Sequence, residues 1–201
     1  MHDRTAPHTQ PGFHGRQLKN FGASVYCRVS EVPRMRSITA TFPPQRDDVE
    51  DEALAVSHRL PLLITARCAS SVTTLARRIH VAAFSLEAPF VAFPGAELLE
   101  SPEQFNEQWT LLMHAGHGGT ILITDVEEMP DTAQAHFAES LAQLRARRSP
   151  DAARLITGTT VSLLDRVKAG QFSDALLYRL NVVHLHHREG CEPCPECAAR
   201  R

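Results

Sequence analysis

"LPLLITARCASSVTTLARRIH", residues 60–80, decides how the chain is read. Its first part is apolar and strand-length, its middle is a short run of small residues, and from Val72 onward the apolar residues recur at helical spacing. A strand that turns straight into a helix start is the usual setting for a phosphate-binding loop, because backbone N–H groups and the helix dipole converge there. Yet Ala66 to Thr74 contains neither Gly nor Lys.

Downstream, apolar runs of strand length alternate with helical patterns. "PLLIT" is followed by a helix over Val72–Ala83, "PFVAF" by one over Pro102–Ala115, and "TILIT" by one over Asp131–Arg147. "ARLITGT" then leads into a helical turn at Ser162–Lys168, a helix at Ser173–Leu180 and a last strand, "NVVHL". Strands that are apolar throughout and separated by helices predict a parallel sheet covered on both faces, a doubly wound α/β fold. Trp109 shares a helix with Phe105, Leu112 and Met113 at core-like spacing and is read as packing. His114 and His117 flank Gly116 and are read as surface loop residues rather than a ligand pair.

The 201 residues, 43% hydrophobic, suffice for one main domain. With 21 Lys and Arg against 23 Asp and Glu, the formal charge of −2 supplies no basic field for nucleic acid and no acidic tail. No apolar run approaches the roughly 20 residues of a membrane-spanning helix. The N-terminal "MHDRTAPHTQPGFHGRQ" lacks the apolar core of a signal peptide, so a cytoplasmic chain without membrane contact is expected. Residues 1–43 read as a flexible segment with one β-prone run, "GASVYCRVS", and Met35 stands as an alternative start. Helix-start chemistry first gathers at Pro44, Asp47 and Asp48, ahead of Val49, Ala53, Leu54 and Val56.

Three stretches together, "GGTILITDVEEMPD" (118–131), "AGQFSDALLYRLNVV" (169–183) and the opening strand–loop–helix, resemble the AAA+ ATPase domain of sigma-54-dependent transcriptional activators, the bacterial enhancer-binding proteins. The resemblance runs from about 44 to 185 and implies a P-loop NTPase (AAA+) sheet. The family's phosphate loop, G-E-S-G-T-G-K-E, lies without a gap on Ala66–Thr73. Its glycines fall on Ala66, Ala69 and Ser71, its lysine on Val72 and its closing Glu on Thr73. Glycines let backbone N–H groups close on phosphates and the lysine neutralises their charge; alanine and valine do neither.

The same resemblance sets Thr124 where the magnesium-linked Asp stands and Asp125 where the water-orienting Glu stands. The sensor Asn becomes Thr160. Of the two arginines in F-R-x-D-L-x-x-R-L-N-V, the first becomes Ser173 and the second is kept as Arg179. The long insertion with its G-A-F-T-G-A loop, the helical lid and the DNA-binding helix-turn-helix have no counterpart in the sequence, so the lid domain is expected to be absent. What the resemblance implies is a degenerate AAA+ module with no catalytic or nucleotide-cofactor residue left.

The segment 186–201 is rich in Cys and His: Cys191, Cys194 and Cys197 form C-x-x-C-x-x-C after His184, His186 and His187. In a reducing compartment such spacing fits a zinc site, with His187 or His186 as the fourth ligand. The bland reading is a solvated tail of thiols. Cys68, inside the former phosphate loop, is read as a buried, inert thiol rather than one activated by the helix start.

Three functions follow. The first is an inactive sigma-54-activator-like module that works by binding a protein partner, a transcriptional activator or a signalling protein, with self-association left open. The second is an ATP-binding domain with an altered site, and the third an adaptor whose zinc-bearing tail is the working part.

Overall fold

The computed structural model describes residues 52, 53, 55–57, 60–146 and 152–187. Among the described residues, after helical residues 52, 53 and 55–57, the elements run β1 Leu62–Ala66, α1 Ala69–Ala83, β2 Phe90–Pro94, α2 Pro102–Ala115, β3 Thr120–Thr124, α3 Asp131–Ala146, β4 Arg154–Thr159, α4 Leu163–Lys168, α5 Asp174–Leu180 and β5 Val183–His187. Short 3-10 turns follow β2 at Gly95–Glu97 and β3 at Val126–Glu128.

Every strand pairing is parallel, in the order β2-β3-β4-β1-β5. From β1 the chain crosses to the far edge through α1, and every later crossover runs back the other way. Right-handed crossovers therefore place α1 on one face and α2 to α5 on the other. The apolar clusters divide accordingly. Val72, Leu75, Ala76 and Ile79 of α1 pack on Leu62, Ile64, Leu122, Ile156 and Leu185. The larger cluster joins Leu63, Ile121, Ile123 and Leu155 to Phe105, Trp109, Phe137, Leu141, Leu176 and Leu180. Adjacent strand residues alternate between the two faces, as the pleat requires.

β4 lies at the centre with all six residues buried. Its first residue, Arg154, donates from Nη2 to the carbonyl of Ala55, which ties the helical residues 55–57 to the base of the sheet. Nearby, Arg78 donates from Nε and Nη2 to the two carboxylate oxygens of Glu52, at 2.7 and 2.6 Å. His80 is buried on α1 with its Nδ1 2.9 Å from the Thr120 hydroxyl, and burial is the main cause that lowers its pKa.

The doubly wound expectation is met, and Trp109 packs in the core edge-on to Phe137. His114 and His117 are exposed, but His114 lies in the last turn of α2 rather than in a loop, because the helix runs on to Ala115. Two boundaries differ from the sequence reading. The helix α1 starts at Ala69, three residues before Val72, because Ala69, Ser70 and Ser71 favour helix where glycines would not. The last strand covers 183–187 rather than 181–185, since the Asn181 and Val182 N–H groups still bond to carbonyls of α5. His186 and His187, assigned above to the tail, therefore belong to β5. The N-terminal segment to residue 43 and the cysteines of the tail lie outside the described residues.

Candidate functional site

In open parallel sheets the binding crevice opens at the carboxyl ends of neighbouring strands whose connections leave in opposite directions. Here those strands are β1 and β4. The link from β1 to α1 is only Arg67 and Cys68. Cys68 is extended (φ −151°, ψ 157°), and its carbonyl accepts from Ser71 N at 3.2 Å and Val72 N at 3.3 Å, closing the first helical turn. Its sulfur, buried, sits 3.1 Å from the hydroxyls of both Ser70 and Ser71.

The positions aligned with the phosphate loop are thus distributed over regular structure. Ala66 ends β1; Ala69, Ser71, Val72 and Thr73 lie on α1, where the Thr73 hydroxyl donates to the Ala69 carbonyl at 3.1 Å. Val72 is 2% exposed and points at the β4 backbone: a Cβ added to Gly158 would lie 2.2 Å from its Cγ1. Gly158 is what lets this helix sit so close to the strand.

At the end of β3, Thr124 is half-buried and Asp125 turns the chain in the left-handed region (φ 49°, ψ 48°), a conformation that short polar side chains tolerate best after glycine. Glu127 follows, buried, on the 3-10 turn. Its Oε1 accepts from the backbone N–H of Thr160 at 3.1 Å and from the Thr160 hydroxyl at 3.3 Å, whereas its Oε2 is buried without a hydrogen-bond partner. This carboxylate spans from the end of β3 to the end of β4. Sequence reading passed over Glu127, whose partner Thr160 lies 33 residues away.

Ser173 caps α5, its hydroxyl accepting from Leu176 N at 3.3 Å and its own N–H donating to Oε1 of buried Gln134 at 2.8 Å. Gln134 in turn donates to the Met129 carbonyl at 2.9 Å, so the turn after β3 and the start of α5 share one amide. Arg179 stands half-buried in the last turn of α5, where a cation is favoured by the helix dipole.

On the edge strand, His184 Nε2 lies 2.8 Å from the Thr65 hydroxyl, and its ring meets that of His186 at 3.9 Å between centroids. Burial, helped by the neighbouring His186, lowers the His184 pKa to about 4. His187, the last residue of β5, is opposite Ala66 in the register. Among the described residues no three His, Cys, Asp or Glu side chains gather as a metal site. Cys191, Cys194 and Cys197 lie outside the described residues. Among the described residues, no helix is long and apolar enough to cross a membrane.

Chemically, the crevice offers an N-terminal helical turn closed on its own carbonyl, a valine against glycine, and a carboxylate facing Thr160.

Residues 105–186 match the sigma-54 interaction domain family. Curated relatives include the HTH-type transcriptional regulatory protein TyrR of Enterobacter agglomerans, 28% identical over 86% of this chain and 36% of the relative. The regulatory protein AtoC of Escherichia coli K12 is 29% identical over 74% of this chain and 36% of its own length. The response regulator PilR of Pseudomonas aeruginosa is 27% identical over 85% of this chain and 43% of its own. The chain thus spans 36–43% of the length of these relatives.

Among solved structures, NtrX from Brucella abortus in complex with ATP superposes with a TM-score of 0.58 at 20% identity, covering 76% of this chain and 39% of NtrX. The Thermotoga maritima RuvB branch migration motor gives 0.50 at 15% identity, over 71% of this chain and 45% of RuvB. Such identities speak for the fold alone. Over residues 105–186 the chain is similar to the sigma-54 interaction domain family, and its five-stranded parallel sheet has the fold of the P-loop NTPase core.

Proposed function

We propose that this chain is a catalytically silent member of the family, a pseudo-ATPase that acts in transcription regulation or signalling by binding another protein. One observation carries the reading: the loop that would cradle phosphate is wound into α1, with Val72 buried on Gly158 in the lysine's place. A nucleoside triphosphate brings several charges that must leave water, and an unpartnered buried charge is strongly disfavoured. The helix dipole offers an exposed anion only about 0.3–1 kcal/mol. Micromolar binding needs roughly 8 kcal/mol.

The relatives named above are a transcriptional regulatory protein, a regulatory protein and a response regulator, which supports a partner in regulatory machinery. The competing reading is an ATP-binding domain with an altered site. Titration calorimetry with magnesium and ATP separates the two: no binding tighter than about 1 mM is expected, and a Kd near 10 micromolar or below refutes the proposal. For the partner, the purified chain is added to an ATPase-competent sigma-54 activator domain. A saturable change in its ATP turnover supports the role, and unchanged turnover with no co-elution removes activators as the partner.

A further inference from the structure

We propose that the outward face of α5 pairs two copies of this chain side by side, as a short parallel coiled coil about a two-fold axis. The helix is anchored from behind. Leu176 and Leu180 are buried in the larger apolar cluster, the Ser173 hydroxyl caps the first turn, and Gln134 of α3 holds the Ser173 N–H. On the other side Asp174, Ala175 and Tyr178 are exposed and Arg179 is half-buried. Tyr178, 81% exposed, is the most open large apolar side chain among the described residues. Tyr and Arg are also the side chains most enriched at the energetic centres of interfaces.

The spacing is that of a coiled-coil seam. With Leu176, Leu177 and Leu180 packed inward, the outward residues fall on one heptad, with Asp174 at g, Ala175 at a, Tyr178 at d and Arg179 at e. Val182, exposed just beyond the helix, stands at the next a. In a parallel pair a and d meet across the seam, and the g residue of one helix faces the e residue five positions on in the other. Asp174 therefore meets Arg179 of the second copy, and the two-fold axis repeats the contact. An antiparallel pair would set g against g and e against e, like charge against like. Charge thus selects the parallel arrangement.

Both charged groups have capacity for the contact. The Asp174 carboxylate accepts from the Ala175 N–H at 2.6 Å and enters no ion pair among the described residues. Arg179 has an interaction within its own chain, and the five N–H donors of a guanidinium serve a second acceptor as well. Space is provided too. Asp174, Ala175, Tyr178 and Arg179 together frame a surface hollow of about 520 Å³. Each a or d side chain of a coiled coil enters a hole framed by four residues of the facing helix, and the small Ala175 leaves room for a tyrosine ring. Two helical turns bury less than the roughly 1,200 Å² of a standard interface, so the pair is weak and depends on concentration.

The test is sedimentation of the full chain over a concentration series at low salt, with circular dichroism to check the fold of each variant. A monomer–dimer equilibrium with a Kd of about 10–100 micromolar is expected. Tyr178→Asp raises that Kd at least about 10-fold, because it puts a charge in the seam of each copy. Asp174→Arg alone and Arg179→Asp alone each weaken self-pairing about 5-fold or more, since each sets like charges against one another twice. An equimolar mixture of these two variants pairs again, as a heterodimer in which both contacts are opposite in charge. Mixing would not mend a loss that came from a merely structural role. A wild-type chain that stays monomeric to about 1 mM overturns the proposal. A ring or open-ended assembly overturns it as well, because a two-fold contact builds neither. A dimer that Tyr178→Asp leaves intact has its contact elsewhere, and a mixture that stays monomeric refutes the parallel register. None of these results depends on whether ATP or another protein binds.

Discussion

Substituting Gly158 with alanine tests the geometry on which the functional reading rests. The new Cβ would stand 2.2 Å from Val72 Cγ1, against about 3.5–4.0 Å for relaxed carbon contacts. Val72 has little room to yield, because a valine on a helix holds one strongly preferred rotamer and this one is buried. Overpacking of this kind costs about 1–3 kcal/mol. Val72→Ala alone removes two methyl groups from the core, worth about 1.5–2.5 kcal/mol with the residual cavity. In the double variant the alanine at 158 occupies the space vacated by the valine. The two losses should then fall short of their sum by about 1–2 kcal/mol, a coupling typical of touching side chains. Urea unfolding with unchanged m-values is the assay, since it reports stability separately from compactness. Additivity within about 0.5 kcal/mol refutes the contact, and with it the helix beginning at Ala69.

Three further predictions follow from neighbouring features. Val72→Lys places an ammonium where the side chain is 2% exposed, so it should lower stability by more than about 1 kcal/mol and yield no ATP turnover; recovered hydrolysis in a coupled assay contradicts this. Glu127→Ala leaves the Thr160 N–H and hydroxyl without their acceptor and should cost about 1–3 kcal/mol, whereas Glu127→Gln keeps an oxygen there and should cost less; equal losses in denaturant titrations sink the assignment. His80 has a folded pKa below its unfolded value of about 6.5, so the unfolded chain binds the proton first and stability falls as pH drops below about 6.5. An H80N variant lacks that component, and pH–stability curves of equal slope for the two proteins contradict it.

The sheet was legible because its strands are apolar on both faces and its helices are not. "TILIT" and "PLLIT" leave little choice but burial, and burial of both faces demands helices on each side. Helix α5 was equally plain, since Ser173 offers a cap and Leu176 and Leu180 an apolar face. What stayed hidden depends on partners far apart in the chain. Whether "ARCASS" is a loop or a first turn depends on how closely α1 can approach β4, and Gly158, which decides it, stands 86 residues beyond Val72. The Glu127 contact with Thr160 spans 33 residues and the His184 contact with Thr65 spans 119, so no local pattern announces either. The resemblance gave the nucleotide positions their alignment but not their conformation, because replacing glycines changes the backbone as well as the side chains.

The two-residue link between β1 and α1 bears on any attempt to build a phosphate cradle here. Such a cradle requires that the first turn of α1 unwind. A glycine at Ala69 or Ser71 would first weaken the helix by about 0.5–1 kcal/mol while bringing no ligand to compensate. A lysine at Val72 would meet the β4 backbone before it met any phosphate. Under the proposed pseudo-ATPase reading, each such change costs stability at the compact turn around Cys68 before any phosphate site forms.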